Sequence, residues 1–125
     1  MNAIQSLRSG AARLISENPI TVTIHRIEYK DDGAGGRYKE ERDLPSFVGR
    51  LALSKQQVNK QQNEAGEIQS SSWMLIAPWD ADVKAGSGVE DTFIVKGKLY
   101  RIGRIIERNY KDEVYAIHAS VEELF

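Results

Sequence analysis

The residues best suited to chemistry are acidic side chains clustered with glycines in one stretch, WDADVKAGSGVED, from Trp79 to Asp91. A calcium loop of the EF-hand type needs oxygen ligands at its first, third, fifth and twelfth positions and a glycine at the sixth. Counted from Asp80, the fifth position is Lys84 and the sixth is Ala85, while the twelfth is an aspartate, too short for the usual bidentate glutamate. A cation at a ligand position argues against a metal site.

Other chemistries find equally little support. Neither this stretch nor DDGAGG has the strand–turn–helix context in which glycine-rich loops bind phosphate. A glycosidase-like carboxylate pair could be drawn from the acidic residues, but nothing in the sequence marks one of them as the acid. His25 and His118 each lie inside a period-two apolar pattern, and no serine lies in a G-x-S-x-G nucleophile elbow. We therefore predict a protein that is not an enzyme, with no catalytic residue, no metal ligand and no cofactor.

Composition limits the remaining classes of protein. The chain has 125 residues, so we treat residues 1–125 as a single domain. A net charge of −1 gives no field that would gather nucleic acid or an anionic membrane. The lack of cysteine excludes disulfides and thiol chemistry and fits a reducing compartment. No segment has the pattern of a signal peptide or the length of a bilayer span, so we expect a soluble protein made in the cytoplasm.

The N-terminal residues 1–17 predict an amphipathic helix that needs packing to persist. Its apolar stripe consists of Ile4, Leu7, Ala11, Leu14 and Ile15. Pro19 ends the helix because proline disfavours helical geometry in the residue before it. The next segment, ITVTIHRIEY from Ile20 to Tyr29, switches to period two and predicts one strand, with a bulge where the apolar parity shifts at Ile27.

Further apolar runs predict the remaining strands. They begin at Arg37, after Pro45, and at Trp73, Phe93, Leu99 and Val114. Many short strands, tight turns and one helix predict a mainly β fold, a small antiparallel β-barrel or sandwich with one N-terminal helix. In such a fold the stretch from Trp79 to Asp91 is a barrel corner. Pro78 ends a buried strand, Trp79 caps the core, and Asp82 and Asp91 stay in solvent.

The polar segment 54–71 predicts a long flexible loop inserted between strands. It contains only two large aliphatic residues, Val58 and Ile68. A structureless connection of this length is uncommon in a compact domain and is usually functional or disordered. We expect it to become ordered against neighbouring subunits; a disordered insertion without a role is the alternative. The candidate partner-binding residues are Lys55, Gln57, Asn59, Lys60, Gln61, Glu64 and Glu67.

Two further sets of side chains bear on binding. The aromatic residues Tyr29, Tyr38, Trp73, Trp79 and Tyr100 could supply a stacking platform. They leave open a second reading, a small β-barrel that binds a peptide or single-stranded nucleic acid. The arginines Arg101 and Arg104 have opposite strand parity, which argues against a continuous basic stripe.

Four segments, IAPWDADVKAG, VEDTF, GKLYRI and YAIHASVEEL, together resemble the small head–tail joining proteins of tailed phages and prophages. These are the head-closure, stopper or adaptor components of the neck. The resemblance implies a small β-barrel that forms a homo-oligomeric ring beneath the portal, helps close the DNA channel and docks the tail. The implied partners are the portal or adaptor protein and the tail-joining proteins, with phage DNA only nearby. The implied location is the host cytoplasm during assembly and then the neck of the particle.

Overall fold

The computed structural model describes residues 2–55 and 71–124. Within these ranges one helix, α1 (Ala3–Ser16), precedes eight strands. The strands are β1 (Ile20–Val22), β2 (His25–Asp31), β3 (Arg37–Asp43), β4 (Phe47–Lys55), β5 (Ser71–Pro78), β6 (Val89–Val95), β7 (Lys98–Tyr110) and β8 (Glu113–Glu123). They form one antiparallel sheet in the order β1-β4-β5-β8-β7-β6-β2-β3, curled into a half-barrel. The predicted mainly β, barrel-like fold with an N-terminal helix is confirmed.

A capping box starts the helix. The Asn2 side chain accepts a hydrogen bond from the Gln5 N–H at 2.9 Å, and the Gln5 side chain accepts one from the Asn2 N–H at 3.1 Å. Ile4 and Ile15 of the predicted stripe are buried, whereas Leu14 is 40% exposed. The helix packs across β4, β5 and β8. It is neither long nor apolar enough to span a membrane.

The single strand predicted from Ile20 to Tyr29 is wrong, because its two halves pair at different places in the sheet. β1 pairs with β4, whereas β2 pairs with β3 and β6. The chain crosses between them at Thr23 and Ile24. There the hydroxyls of Thr23 and Ser46 are 2.6 Å apart, and the Ile24 carbonyl accepts the Leu44 N–H at 2.9 Å. Since β1 ends the strand order and β2 lies near its other end, the crossing draws the two ends of the sheet together.

The core fills the inside of this curl. It consists of Val22, Ile24, Leu75, Phe93, Tyr100, Ile102, Ala119 and Val121. The Tyr100 ring stacks on Phe93 with centroids 5.4 Å apart, and Trp73 meets it edge-on at 6.4 Å. Burying each of the valine, leucine, isoleucine and phenylalanine side chains stabilises the fold by about 1.5–3 kcal/mol.

The strand that begins at Trp73 is confirmed as buried on both faces. Leu75 points into the core, and Ile76, of opposite parity, is also buried. The helix α1 packs against this strand. Pro78 is its last residue, as predicted, since proline cannot donate to the ladder. The strand therefore separates the core from the helix layer.

At one position in β4, the close approach of two backbones leaves room only for glycine. Gly49 in β4 is buried, and a Cβ there would lie 2.8 Å from the carbonyl oxygen of Ile76. Gly49→Ala should therefore lower the free energy of unfolding by about 1–3 kcal/mol, since the backbones must move apart. Gly10→Ala is the control, because a Cβ at this helical position meets nothing within 4 Å. It should raise stability by up to about 1 kcal/mol. Denaturant titration measures both, and an unchanged midpoint for Gly49→Ala would contradict the close approach.

Candidate functional site

The most buried charges of the described residues form an ion pair between β2 and β6. Arg26 is 1% exposed and Asp91 is fully buried. They lie directly opposite each other in the two strands. The Arg26 Nε donates to Asp91 Oδ1 and the Nη2 donates to Oδ2, both at 2.8 Å. This two-point contact is the strongest geometry available to an arginine and a carboxylate.

Strand parity places both charges inside. Arg26 continues the inward series of Val22 and Ile24, and Asp91 precedes the inward Phe93 by two positions. The inward parity therefore continues through Arg26, and the bulge predicted at Ile27 is wrong. The signal available in the sequence was two opposite charges at interior positions of two strands.

The segment before β6 is fastened to this pair. Asp82 Oδ1 accepts from Arg26 Nη2 at 3.0 Å, and the Lys84 N–H donates to Asp91 Oδ2 at 2.7 Å. The bond to Asp91, reinforced by Asp82, raises the pKa of the Arg26 guanidinium above its ordinary value. The expectation that Asp91 stays in solvent is wrong, and Asp82, although exposed, is engaged. The acidic stretch thus anchors the corner to the sheet.

The histidines lie in different environments. The ring nitrogens of His25 in β2 are 2.8 Å from Asp43 Oδ1 and 3.0 Å from Glu41 Oε1. These hydrogen bonds, with Asp43 the larger influence, raise the pKa of His25. Burial lowers the pKa of His118 in β8. Within residues 2–55 and 71–124, no group of three or more His, Cys, Asp or Glu side chains is placed to hold a metal ion.

An apolar groove of about 590 Å³ lies between α1 and the end of β5. Its apolar walls are Ala11, Ile15, Val48, Pro78, Trp79 and Tyr115. The Arg8 guanidinium lies 3.7 Å above the Trp79 ring and donates to the Val114 carbonyl at 3.0 and 3.1 Å. Trp79 is 43% exposed, so it borders this groove instead of capping the core as predicted. The groove could accept an apolar side chain of a partner.

The predicted partner-binding segment is seen only at its two ends. Lys55 is the last residue of β4 and pairs with Ser71, and Ser54 pairs with Ser72. The predicted bounds of 54 and 71 are therefore too wide, since those residues belong to strands. The other candidates, Gln57, Asn59, Lys60, Gln61, Glu64 and Glu67, lie outside the described residues. Chain positions 55 and 71 meet at one end of the β4–β5 ladder.

The five aromatic residues do not form one platform. Trp73 contacts Tyr100, which is itself buried in the core. Trp79 lies against the helix, and Tyr29 and Tyr38 are exposed on β2 and β3. Trp73 and Tyr100 do border a cleft of about 300 Å³ that also includes two lysines, Lys96 and Lys98.

A bulge corrects the expectation for the arginines. The β7–β8 register shifts between Ile102 and Arg104, at Gly103. Arg101 lies opposite Glu122 and Arg104 opposite Ser120, so both arginines face outward on the same side. The opposite parity of positions 101 and 104 therefore gave the wrong prediction. Gly103 is the residue that indicates the bulge.

No protein-family model, no curated protein and no solved structure matches the chain. The residues and contacts of the chain itself are therefore the basis for a proposal of function.

Removing one member of the buried ion pair should unfold the protein at much lower denaturant. Arg26→Met or Asp91→Asn should each lower the free energy of unfolding by about 3–5 kcal/mol, because the remaining group keeps its burial without its partner. The double variant Arg26→Met/Asp91→Leu should recover most of that loss. Arg42→Met, which breaks a surface pair with Glu28 at 2.7 Å, is the control and should lower stability far less, because water screens that pair. Equal losses of stability in the Arg26 and Arg42 variants would contradict the burial of the Arg26–Asp91 pair.

Proposed function

We propose that the protein is a structural part of a phage or prophage neck that joins the head to the tail. It would connect the portal or adaptor protein to the tail-joining proteins, and help close the DNA channel as a homo-oligomeric ring. The observation that carries this proposal is the placement of the four segments that resemble head–tail joining proteins. They fall at the end of β5 and in the corner after it, in β6, in the β6–β7 hairpin and in β8, and these strands are neighbours in the order β5-β8-β7-β6.

Two candidate contact surfaces at opposite ends of β5 add support. Ser71 at the start of β5 pairs with Lys55, where the polar segment leaves and rejoins the sheet. Pro78 at its end borders the apolar groove under the helix. At about 3.3 Å per residue the two ends are roughly 23 Å apart. A protein that joins two neighbours needs separate surfaces for them.

Co-assembly tests the neck role directly. The purified protein is mixed in turn with portal, adaptor and tail-joining proteins of tailed phages, and the mixtures are viewed by electron microscopy. We expect rings that contain this chain in at least one mixture. Persistent absence of rings with every neck partner would count against the proposal.

Deleting residues 57–67 tests the predicted partner-binding segment. The shortened chain should stay folded, because Lys55 and Ser71 still close the β4–β5 ladder, and it should no longer assemble with its neck partner. Circular dichroism and melting measure the fold, and electron microscopy measures assembly. A control replaces residues 57–67 with glycine and serine at unchanged length. If that control assembles as well as the parent, the named side chains are not the partner-binding residues.

A second candidate function is the binding of single-stranded nucleic acid or a peptide in the cleft beside Trp73. Trp73 beside Lys96 and Lys98 pairs a stacking surface with cations, and stacking of one base is worth about 1–3 kcal/mol. Binding would appear as salt-dependent retention of a labelled single strand or peptide, lost in Trp73→Leu and kept in Trp79→Leu. The neck proposal expects no retention at physiological salt.

A further inference from the structure

The strand β3 leaves one long edge of the described sheet open. It is the last strand in the order and pairs only with β2. It has seven residues, Arg37–Asp43, with no proline or glycine among them. Natural sheets commonly protect such an edge with a proline, a bulge, a short strand or charged side chains. β3 has only the charged side chains, so the order of their charges decides whether a second strand is repelled or attracted.

The β2–β3 ladder shows which backbone groups of β3 point outward. At one end the Asp32 N–H donates to the Gly36 carbonyl at 3.0 Å, and at the other the Leu44 N–H donates to the Ile24 carbonyl at 2.9 Å. Antiparallel hydrogen bonding alternates along a strand, so the even-numbered residues of β3 bond to β2. The odd-numbered residues Arg37, Lys39, Glu41 and Asp43 therefore present their N–H and C=O groups at the open edge.

The charge sequence of β3 is complementary to itself when it is read backwards. In an antiparallel pair centred on Glu40, Arg37 lies opposite Asp43 and Lys39 lies opposite Glu41. Tyr38 lies opposite Arg42, which allows a cation–π contact. The same centre pairs odd-numbered residues with odd-numbered residues, so the outward backbone groups of both copies meet. Opposite charges placed in this way stabilise an antiparallel pair.

We propose that β3 is a self-association edge that binds the β3 strand of a second copy of this chain, antiparallel about a two-fold axis at Glu40. The half-barrels of the two copies then share one continuous sheet. Each odd-numbered pair contributes two backbone hydrogen bonds, and the side chains supply the register.

One like-charge contact opposes this pairing. The two Glu40 side chains meet at the axis, where directly opposite like charges destabilise a sheet. Lys30 of the same chain lies 3.0 Å from Glu40 and offsets its charge. Glu40 therefore sets the strength of the contact and the other pairs set its geometry.

Other registers fit less well. A pair centred on Lys39 puts two lysines on the axis and leaves Arg42 and Asp43 without opposite charges. A pair centred on Glu41 extends only over Lys39–Asp43 and puts two glutamates on the axis at backbone-bonded positions. The register centred on Glu40 alone uses the whole strand.

This contact goes beyond the neck proposal and is independent of it. A two-fold contact joins two copies and then closes, so it cannot propagate round a ring. The buried area is small for a stable interface, because one strand edge supplies all of it. We therefore expect an equilibrium between monomer and dimer, in the range of about 10 µM to about 1 mM.

Analytical ultracentrifugation of the full chain, at about 10 µM to about 1 mM, tests the inference. The variants reverse the charge of single β3 side chains. Lys39→Glu should weaken dimerisation about tenfold or more, because two attractive cross-strand pairs become repulsive. Glu41→Lys should do the same. The double variant Lys39→Glu/Glu41→Lys should restore the parent value, since the opposite charges face each other again. Glu40→Gln should tighten the dimer severalfold.

The controls separate this edge from other contacts. Arg13→Glu makes the same change of net charge on the helix and should leave dimerisation unchanged. Amide exchange of Lys39 and Glu41 should slow as concentration rises, because their N–H groups become bonded only in the dimer. A chain that stays monomeric throughout, or a double variant that fails to recover while it remains folded, would overturn the inference. Higher oligomers insensitive to these exchanges would assign self-association to another surface.

Discussion

The buried pair of Arg26 and Asp91 is the constraint on which the sheet depends. Removing two charges from water costs several kcal/mol each, and the cost is offset only while both ends of the contact are bonded. A slip of one residue between β2 and β6 would turn Arg26 to the outer face and leave Asp91 alone inside. The pair therefore fixes the register of β2, and through β2 the position of β3. Asp82 and Lys84 extend the same constraint to the corner before β6.

The proposed contact surfaces depend on this fixed frame. β3 is held by β2, so the outward alternation of its backbone groups follows from a register set inside the protein. Pro78 and Trp79 line the groove, and they lie in the sequence just before Asp82, which is bonded to Arg26. An uncompensated charge in the core would thus disturb both the β3 edge and the groove beside Trp79. Interior electrostatics and surface geometry are coupled in this fold.

Much of the architecture could be predicted from local patterns, and the failures have physical causes. The helix, the buried strand from Trp73 and the mainly β class follow from periodicity and from proline. The division of Ile20–Tyr29 into two strands could not be predicted, because residues distant in sequence decide the pairing partner of each strand. The solvent exposure predicted for Asp91 is wrong because Arg26, 65 positions away in the sequence, supplies the opposite charge that offsets its burial. For the candidate site, the sequence predicted that Trp79 caps the core and did not predict the groove that it borders, since no local pattern encodes contact between distant elements.

The crossing at Thr23 and Ile24 has a consequence for how the chain folds. Strands β1 and β2, adjacent in sequence, lie at one end of the strand order and next to the other end, and Arg26 pairs with a residue 65 positions later. Local hairpins such as β6–β7 can form early, but contacts of this separation require closure of long loops first. We expect the guanidinium to lose its water late, in the step that completes the curl. The rate of that step would then be limited by chain search and dehydration together.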